Sequence, residues 1–246
     1  MRLDKYLCET GFGTRSQVKA LLKKGLVSVN GEPEKRPERK VDEHSDIISC
    51  GGKAAVYSEF IYLMLYKPAG VLTARSDRRE WTVFDLILAE LRRDLSPVGR
   101  LDKDTEGLLL LTDDGPLAHH LLSPRHHVEK VYFAQVRGEL READILSFQE
   151  GLDIGDERKT LPAKLEIQKS GAESEALVTL HEGRYHQVKR MFQAVGCEVL
   201  YLKRLSMGSL ALDESLAPGE WRRLREEEIA LLKKEEGSRD ESGDTN

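Results

Sequence analysis

The stretch PVGRLDKDTEGLLLLTDDG, from Pro97 to Gly115, is the part of the sequence with the most chemical potential. It places four aspartates around a run of four leucines. Five of its residues match the spacing of a calcium-binding EF-hand loop: Asp102, Asp104, Glu106, Gly107 and Asp113. An EF-hand also needs flanking helices and a closing Glu, whereas the second half of this stretch is an apolar strand. We therefore interpret the calcium match as accidental.

Two other interpretations of the aspartates remain. Asp113 and Asp114 precede Gly115 and Pro116, and this order is typical of a turn that caps a helix with proline in its first turn. Asp102 is different, because it follows Arg-Leu in a loop ahead of the leucine run. A carboxylate in such a place can act as a nucleophile or as a general base.

Neither the histidines nor the cysteines form a convincing metal site. Two histidine pairs invite a zinc interpretation: His119 with His120, and His126 with His127. They belong to different predicted elements and have no cysteine or acidic partner at ligand spacing. The three cysteines, Cys8, Cys50 and Cys197, are odd in number and have no ligand spacing either. The sequence thus predicts free thiols, no metal and no disulfide framework.

Composition indicates a soluble globular protein with a strongly charged surface. Of the 246 residues, 39% are hydrophobic and 33% are charged, and no apolar run approaches the roughly 20 residues that cross a bilayer. The first residues lack the apolar core of a signal peptide, so we predict a cytoplasmic location. The segment 226–246 has eight acidic and three basic residues, which accounts for the whole net charge of −5. Basic clusters elsewhere are therefore compatible with a nucleic-acid partner.

The remaining pattern predicts an α+β fold, because grouped strands with a few helices do not follow a regular βαβ alternation. Strands are predicted at Phe60–Leu65, Leu108–Leu111, Lys130–Val136, Ala163–Lys169, Ala176–His181 and Glu198–Leu202. Helices are predicted at Thr82–Leu91 and Tyr185–Val195. We expect a mostly antiparallel mixed sheet with flanking helices. The segment Ser49–Lys53 is interpreted as a linker.

The first 48 residues have the pattern of a small separate unit. Leu3, Tyr6 and Leu7 have helical spacing, and Thr14 with Gln17 matches a capping box for a second helix. A short strand then runs into Asn30-Gly31, the favoured tight-turn dipeptide. The helical part is rich in bases, which include Arg15, Lys19, Lys23 and Lys24. Taken alone, these bases are more typical of an ordinary solvated helix face than of a binding site.

The order of these elements resembles the S-four RNA-binding domain, through the stretch RLDKYLCETGFGTRSQVKALLKKGLVSVNGE. The resemblance implies that Arg15, Lys19, Lys23 and Lys24 contact RNA. Together with the composition of the rest of the chain, this predicts four segments: the RNA-binding domain at 1–48, a linker at 49–59, a larger domain at 60–232 that contains the Asp102 motif, and a disordered acidic tail at 233–246.

The motif GRLDKDTEGLLLLTDDG is similar to the central motif of pseudouridine synthases, in which the aspartate after Arg-Leu is essential. Further matching stretches occur in order: YLMLYKPAGVLTA, SPRHHVEKVYFAQV, EGRYHQVKRMFQAVG and LKRLSMGSLAL. SPRHH and GRYHQVKRMF most resemble the RsuA-type subfamily, which acts on small-subunit (16S) ribosomal RNA. The resemblance implies isomerisation of a uridine in ribosomal RNA by a monomer, without a cofactor.

This resemblance also implies the site. Asp102 is the catalytic carboxylate, Lys189 is the basic residue beside it, and Tyr132 stacks on the target base. Many relatives have arginine at the position of Lys189, so an amine replaces a bidentate fork. Lys67 is expected at a strand end near the cleft and not as a catalytic lysine. Further RNA contacts are expected from Arg100, Arg184, His186, Gln187 and Arg190, although a solvated helix face explains any one of the last four nearly as well.

Two functions of other classes remain open at this point. The first is a non-catalytic RNA-binding or ribosome-assembly factor, for which the S-four unit alone is sufficient. The combination of Asp102, Tyr132 and Lys189 argues against it. The second is a metal-dependent phosphodiesterase built on Asp102, Asp104 and Asp113, which EDTA would inactivate.

Overall fold

The chain forms two compact units. The computed structural model describes residues 1–43, 45–55, 57, 60–87, 91 and 95–240, with side chains of the last helix described up to residue 234. The smaller unit takes Met1–Phe60, and the larger one begins at Ile61. Within the described ranges, every helix is too short or too polar to span a bilayer.

The smaller unit packs two helices on a small antiparallel sheet. Its elements are α1 (Leu3–Glu9), α2 (Arg15–Lys23), β1 (Val27–Val29), β2 (Glu32–Pro33), β3 (Ile48–Cys50) and β4 (Lys53–Ala55), with strand order β2-β1-β3-β4. The capping box predicted for α2 is present, because Thr14 accepts from the Gln17 amide and Gln17 accepts from the Thr14 amide. Asn30 and Gly31 both have positive φ angles, 54° and 86°, as the predicted tight turn requires.

The predicted linker Ser49–Lys53 is part of this sheet. Residues 49 and 50 lie in β3 and Lys53 lies in β4, joined by a turn in which Gly51 and Gly52 have φ angles of 59° and 78°. Cys50 and Ala55 are buried in the same core as the helix leucines. The linker interpretation is wrong because a glycine pair signals a hairpin as readily as a flexible connection.

The larger unit is built on one mixed sheet. Its strands are β5 (Tyr62–Lys67), β6 (Ser96–Pro97), β7 (Glu106–Thr112), β8 (Lys130–Arg137), β9 (Lys164–Lys169), β10 (Glu173–Leu180), β11 (Glu198–Met207), β12 (Leu210–Ala211) and β13 (Trp221–Arg223). Its helices are α3 (Gly115–Leu122), α4 (Glu142–Glu150), α5 (Gln187–Ala194) and α6 (Glu226–Asp240), with one-turn 3-10 helices at Val83–Leu86 and Pro124–His126.

The strand order of this sheet is β13-β5-β7-β11-β8-β10-β9, with β6 on β7 and β12 on β11. Strands β7 and β11 pair in parallel, whereas the other pairs among the described strands are antiparallel. The predicted α+β class with a mostly antiparallel mixed sheet is thus confirmed. All six residues of β5 and the leucines of β7 are buried, which explains why these strands read as continuous apolar runs.

Two further predicted segments differ from the structure. The helix predicted at Thr82–Leu91 is a single 3-10 turn, after which Ile87 is extended, and residues 88–90 lie outside the described ranges. Asp85 caps that turn by accepting from both the amide and the hydroxyl of Thr82. The disordered tail predicted from residue 233 is instead helical to Asp240, as the end of α6; the rest of that tail lies outside the described part.

Candidate active site

Asp102 lies on a short loop that leads into β7. The loop is fixed to the segment after β5 by backbone and side-chain hydrogen bonds. The Thr73 hydroxyl donates to the Leu101 carbonyl at 2.7 Å, and the Gly70 amide donates to the Lys103 carbonyl at 2.7 Å. The Thr105 amide closes the loop on the Asp102 carbonyl at 3.1 Å. The Asp102 side chain, 28% exposed, therefore projects from a rigid support.

Lys67 supports the same loop from beneath. It is the last residue of β5 and is fully buried. Its ammonium donates to the carbonyls of Pro68, Lys103 and Thr105 at 3.0, 3.2 and 2.8 Å. Burial lowers the pKa of Lys67 to about 8, against the opposing charges of Asp104 and Asp102. The expected position at a strand end is confirmed, and the contacts with the loop add a supporting role to it.

Lys189 reaches Asp102 from the first turns of α5. Its Nζ lies 3.1 Å from Asp102 Oδ2 and 2.6 Å from Asp104 Oδ1. Burial opposes protonation of Lys189, but hydrogen bonds and charge from Asp104 and Asp102 raise its pKa overall. Burial likewise opposes ionisation of Asp104, yet Lys189 leaves the pKa of that carboxyl lowered. One ammonium thus pairs with two carboxylates, and the predicted pairing of Lys189 with Asp102 is present.

His186 faces the other oxygen of Asp102. Its Nε2 lies 3.4 Å from Asp102 Oδ1, and its ring stacks on Tyr185 with centroids 3.8 Å apart. His186 is the residue before α5 and has a left-handed backbone with φ of 49°. Non-glycine residues rarely adopt this conformation, and it recurs at functional sites. The sequence suggested RNA binding for His186, and the structure places its ring at the carboxylate.

Tyr132 lies in the same sheet, two strands from the strand that follows the Asp102 loop. It pairs with Arg204 in β11, and Arg204 pairs with Gly107 at the start of β7. Neighbouring strands are about 4.8 Å apart, which places the Tyr132 backbone roughly 10 Å from Gly107. Tyr132 is only 9% exposed. Its stacking role remains a prediction.

Arg184, Gln187 and Arg190 support the loop before α5. The guanidinium groups of Arg184 and Arg190 both pair with Asp156, and Arg184 also pairs with Glu182. Gln187 is buried and donates to Glu182 while it accepts from the Arg184 amide. Gln187 therefore supports the packing of this loop, and its contact with RNA stays a prediction. Both arginines also donate to backbone carbonyls and so brace this loop, and their contact with RNA stays a prediction.

The other expected RNA-binding residues are exposed. Arg100 lies on the surface of the loop that carries Asp102. On α2 and its C-terminal end, Arg15, Lys19, Lys23 and Lys24 are exposed and have no acidic partner within 4 Å among the described residues. In the same unit, Arg2 pairs with Asp4 and Lys5 with Glu9. The four unpaired cations are thus available for phosphates.

Metal coordination finds no support in the described part of the chain, where no three His, Cys, Asp or Glu side chains are grouped to hold an ion. His120 and His126 are stacked, and His126 Nδ1 contacts the His120 carbonyl.

Asp114 caps α3 by accepting from the Leu117 amide at 3.1 Å, and Asp113 accepts from the Ile61 amide. The predicted helix cap is confirmed.

Comparison with known proteins identifies both units. The family model for RNA pseudouridylate synthase matches residues 61–194, and the model for the S-four (S4) domain matches residues 1–48. An uncharacterised RNA pseudouridine synthase of Bacillus subtilis, YtzG, is 50% identical over 234 residues, which cover 94% of this chain and 98% of that protein. Ribosomal small subunit pseudouridine synthase A of Vibrio cholerae is 41% identical and covers 94% of this chain and 99% of that protein.

A solved structure agrees in fold and sequence. The crystal structure of a pseudouridylate synthase is 38% identical with a TM-score of 0.67, and it covers 94% of this chain and 99% of that chain. The resemblances drawn from the sequence motifs, to the synthase family and to the S-four domain, are therefore confirmed. The chain belongs to the RNA pseudouridylate synthase family, whose members isomerise uridine in RNA, and it has an S-four domain ahead of its catalytic unit.

Proposed function

We propose that this enzyme converts a specific uridine of small-subunit ribosomal RNA to pseudouridine, with Asp102 as its catalytic carboxylate. One observation carries the assignment of Asp102. Its carboxylate sits on a braced loop, with Lys189 on one oxygen at 3.1 Å and His186 facing the other at 3.4 Å. An ammonium and a carboxylate at this distance attract each other as an ion pair.

The reaction requires such a group. The bond between ribose C1′ and uracil N1 breaks, the base turns, and C1′ joins uracil C5, which gives up its proton while N1 gains one. Atoms and electrons balance within the nucleotide, so neither oxidant nor reductant is consumed. A carboxylate assists by attacking the sugar or the base, or by removing a sugar proton, and each route needs an ionised and accessible oxygen. The Asp102 side chain, 28% exposed, has the accessibility that each route requires.

The choice of small-subunit ribosomal RNA rests on the relatives and on the S-four unit. Several relatives aligned over nearly their whole length are named ribosomal small subunit pseudouridine synthase A. The exposed cations of α2 supply a surface for RNA phosphates. We propose further that the protein acts as a monomer on this RNA and that the target base leaves its helix or loop to reach Asp102.

The substrate is tested by mapping pseudouridines in small-subunit RNA from cells with and without the gene. We expect one uridine to lose its modification when the protein is absent and to regain it when the wild-type protein is restored. Identical maps would refute the small-subunit assignment. Purified protein with a transcript of the mapped region then reports activity directly. Full activity in EDTA would exclude the metal-dependent phosphodiesterase and support catalysis without a metal.

The role of Asp102 is tested by Asp102→Asn, which keeps size and polarity but removes charge and basicity. We expect this variant to bind the transcript as well as wild type and to form no pseudouridine. Asp104→Asn is the matched control, since Asp104 also pairs with Lys189 but its side chain is 73% exposed. We expect that variant to retain substantial turnover. Near wild-type turnover by Asp102→Asn would refute the assignment of Asp102 as the catalytic carboxylate.

A further inference from the structure

The most exposed aromatic side chain of the described residues lies one position from His186. Tyr185 is 77% exposed, more than Trp81 at 66%. Its ring stacks on His186 with centroids 3.8 Å apart and an interplanar angle of 18°. One face of Tyr185 is therefore covered by the imidazole, and the opposite face is open to solvent.

The backbone around this stack is held in place. Arg190 Nε donates to the Tyr185 carbonyl at 2.8 Å, and the Gln187 side chain accepts from the Arg184 amide at 2.9 Å. His186 adopts its left-handed conformation between these two anchors. The tyrosine thus stands on a fixed support, and its exposure is a property of the fold.

The stack also connects the surface to the carboxylate. His186 contacts Tyr185 through its ring face and approaches Asp102 through Nε2 at 3.4 Å. The arginines on either side of this segment are engaged with Asp156. The exposed ring of Tyr185 offers an aromatic plane at this surface, and a nucleobase binds such a plane by stacking.

We propose that the open face of Tyr185 stacks on a base of the substrate RNA that neighbours the target uridine in the chain. Aromatic side chains hold unpaired bases in this way without regard to sequence. The base would extend the Tyr185–His186 stack by one ring and so hold the RNA strand beside Asp102. Tyr185 is then a positioning residue. This inference rests on the proposed assignment of Asp102 as the catalytic carboxylate, but its test measures RNA binding and does not depend on that assignment.

The test measures binding in the Asp102→Asn protein, so that turnover does not enter. The probe is a nine-nucleotide single-stranded RNA with a central uridine and 2-aminopurine on both sides, whose fluorescence falls when the base stacks. We expect Tyr185→Leu to weaken binding about 5- to 150-fold and to abolish the quenching. Tyr185→Phe should keep both within about twofold of the tyrosine protein, because the stacking face is retained. Leu146→Ala, at an exposed apolar residue of α4, is the control and should change neither.

Two results would overturn the proposal. The first is unchanged affinity and quenching in Tyr185→Leu, or no quenching in the tyrosine protein at saturation. The second is an equal loss in Tyr185→Phe, which would mean that the hydroxyl and not the ring face contacts RNA. Because the probe reports binding only, failure of the Asp102 assignment appears separately, as turnover by Asp102→Asn on the ribosomal transcript.

Discussion

The two oxygens of Asp102 face different groups, an ammonium that remains charged and an imidazole. Lys189 lies on one oxygen and His186 on the other. Because Asp104 and Asp102 raise the pKa of Lys189, its charge persists throughout the physiological pH range. The Asp102 carboxylate therefore has a positively charged partner on one side throughout that range.

Removing that partner should impair the chemical step. We expect Lys189→Met to lower kcat about 100-fold, comparable with the effect of removing one preorganised electrostatic group in other enzymes. Lys189→Arg should lower kcat less, because the positive charge is kept although the guanidinium group contacts the carboxylates with a different geometry. Single-turnover rates of pseudouridine formation measure both. A methionine variant as fast as the arginine variant would show that the charge on Lys189 is not needed.

Replacement of Lys67 tests the support beneath the same loop. Lys67→Met leaves three buried carbonyls without their donor, and we expect a loss of about 2 to 4 kcal/mol in the free energy of unfolding at pH 7. The folded pKa of about 8 is below that of an unfolded lysine, so the unfolded chain binds more protons between these values. Stability from this group therefore rises with pH across that window, by up to about 3 kcal/mol.

Urea titrations of wild type and Lys67→Met at intervals from pH 7 to pH 10 measure the difference directly. The gap between the two proteins should widen as pH rises above 8. A constant gap would mean that Lys67 titrates alike in the folded and unfolded chains.

For single residues, the sequence predicts which side chains belong to the active site better than it predicts which neighbours bury them. Asp102 and Lys189 match family motifs, and their side chains do meet. Gln187 stands beside them in the same motif but is buried on Glu182, and spacing along a helix does not distinguish the buried face from the exposed one without the neighbouring strands. No sequence pattern distinguishes Tyr185, because an exposed aromatic can be recognised only once its covering residues are known.

Among the elements, the parallel pairing of β7 with β11 depends on a single glycine. Gly107 has φ of 105°, and a Cβ there would lie 2.2 Å from the carbonyl oxygen of Arg204. We expect Gly107→Ala to destabilise the larger unit by about 3 kcal/mol or more, through both backbone strain and separation of the strands. Gly115→Ala is the control, since its Cβ meets nothing within 4 Å. Thermal and urea denaturation compare them, and equal stabilities would contradict the close approach.

Element prediction succeeded where burial sets the period. The apolar runs of β5 and β7 and the alternation of β8 appear in the structure with small shifts at their ends. The helix prediction failed at Thr82, where the Asp85 carboxylate accepts from the Thr82 amide and the chain forms only a single 3-10 turn. The acidic composition of the last segment likewise predicted disorder, although α6 begins with three glutamates, which favour a helix N-terminus.

Over the whole molecule, RNA affinity should depend on the unpaired cations of the S-four unit. Substituting glutamine for Arg15, Lys19, Lys23 and Lys24 together leaves the chain intact. Each phosphate that is no longer neutralised flattens the slope of log affinity against log salt by roughly 0.7 to 0.9, so we expect a total change of about 3. Fluorescence anisotropy with the ribosomal transcript measures it. Glutamine at Arg2 and Lys5, which already have acidic partners, is the control and should change the slope less.

The edge position of β13 has a consequence for how the protein is made on the ribosome. The S-four sheet is complete at Ala55, so this unit can fold while most of the chain is still unsynthesised. One edge of strand β5 stays unpaired until β13 is synthesised, because β13 pairs with Leu63, Met64 and Leu65. At about 5 to 20 residues per second, this delay is on the order of ten seconds. During that time the S-four unit is attached to an incomplete larger unit. The apolar strand β5 then has an unpaired edge, which can pair with other nascent chains unless it is protected.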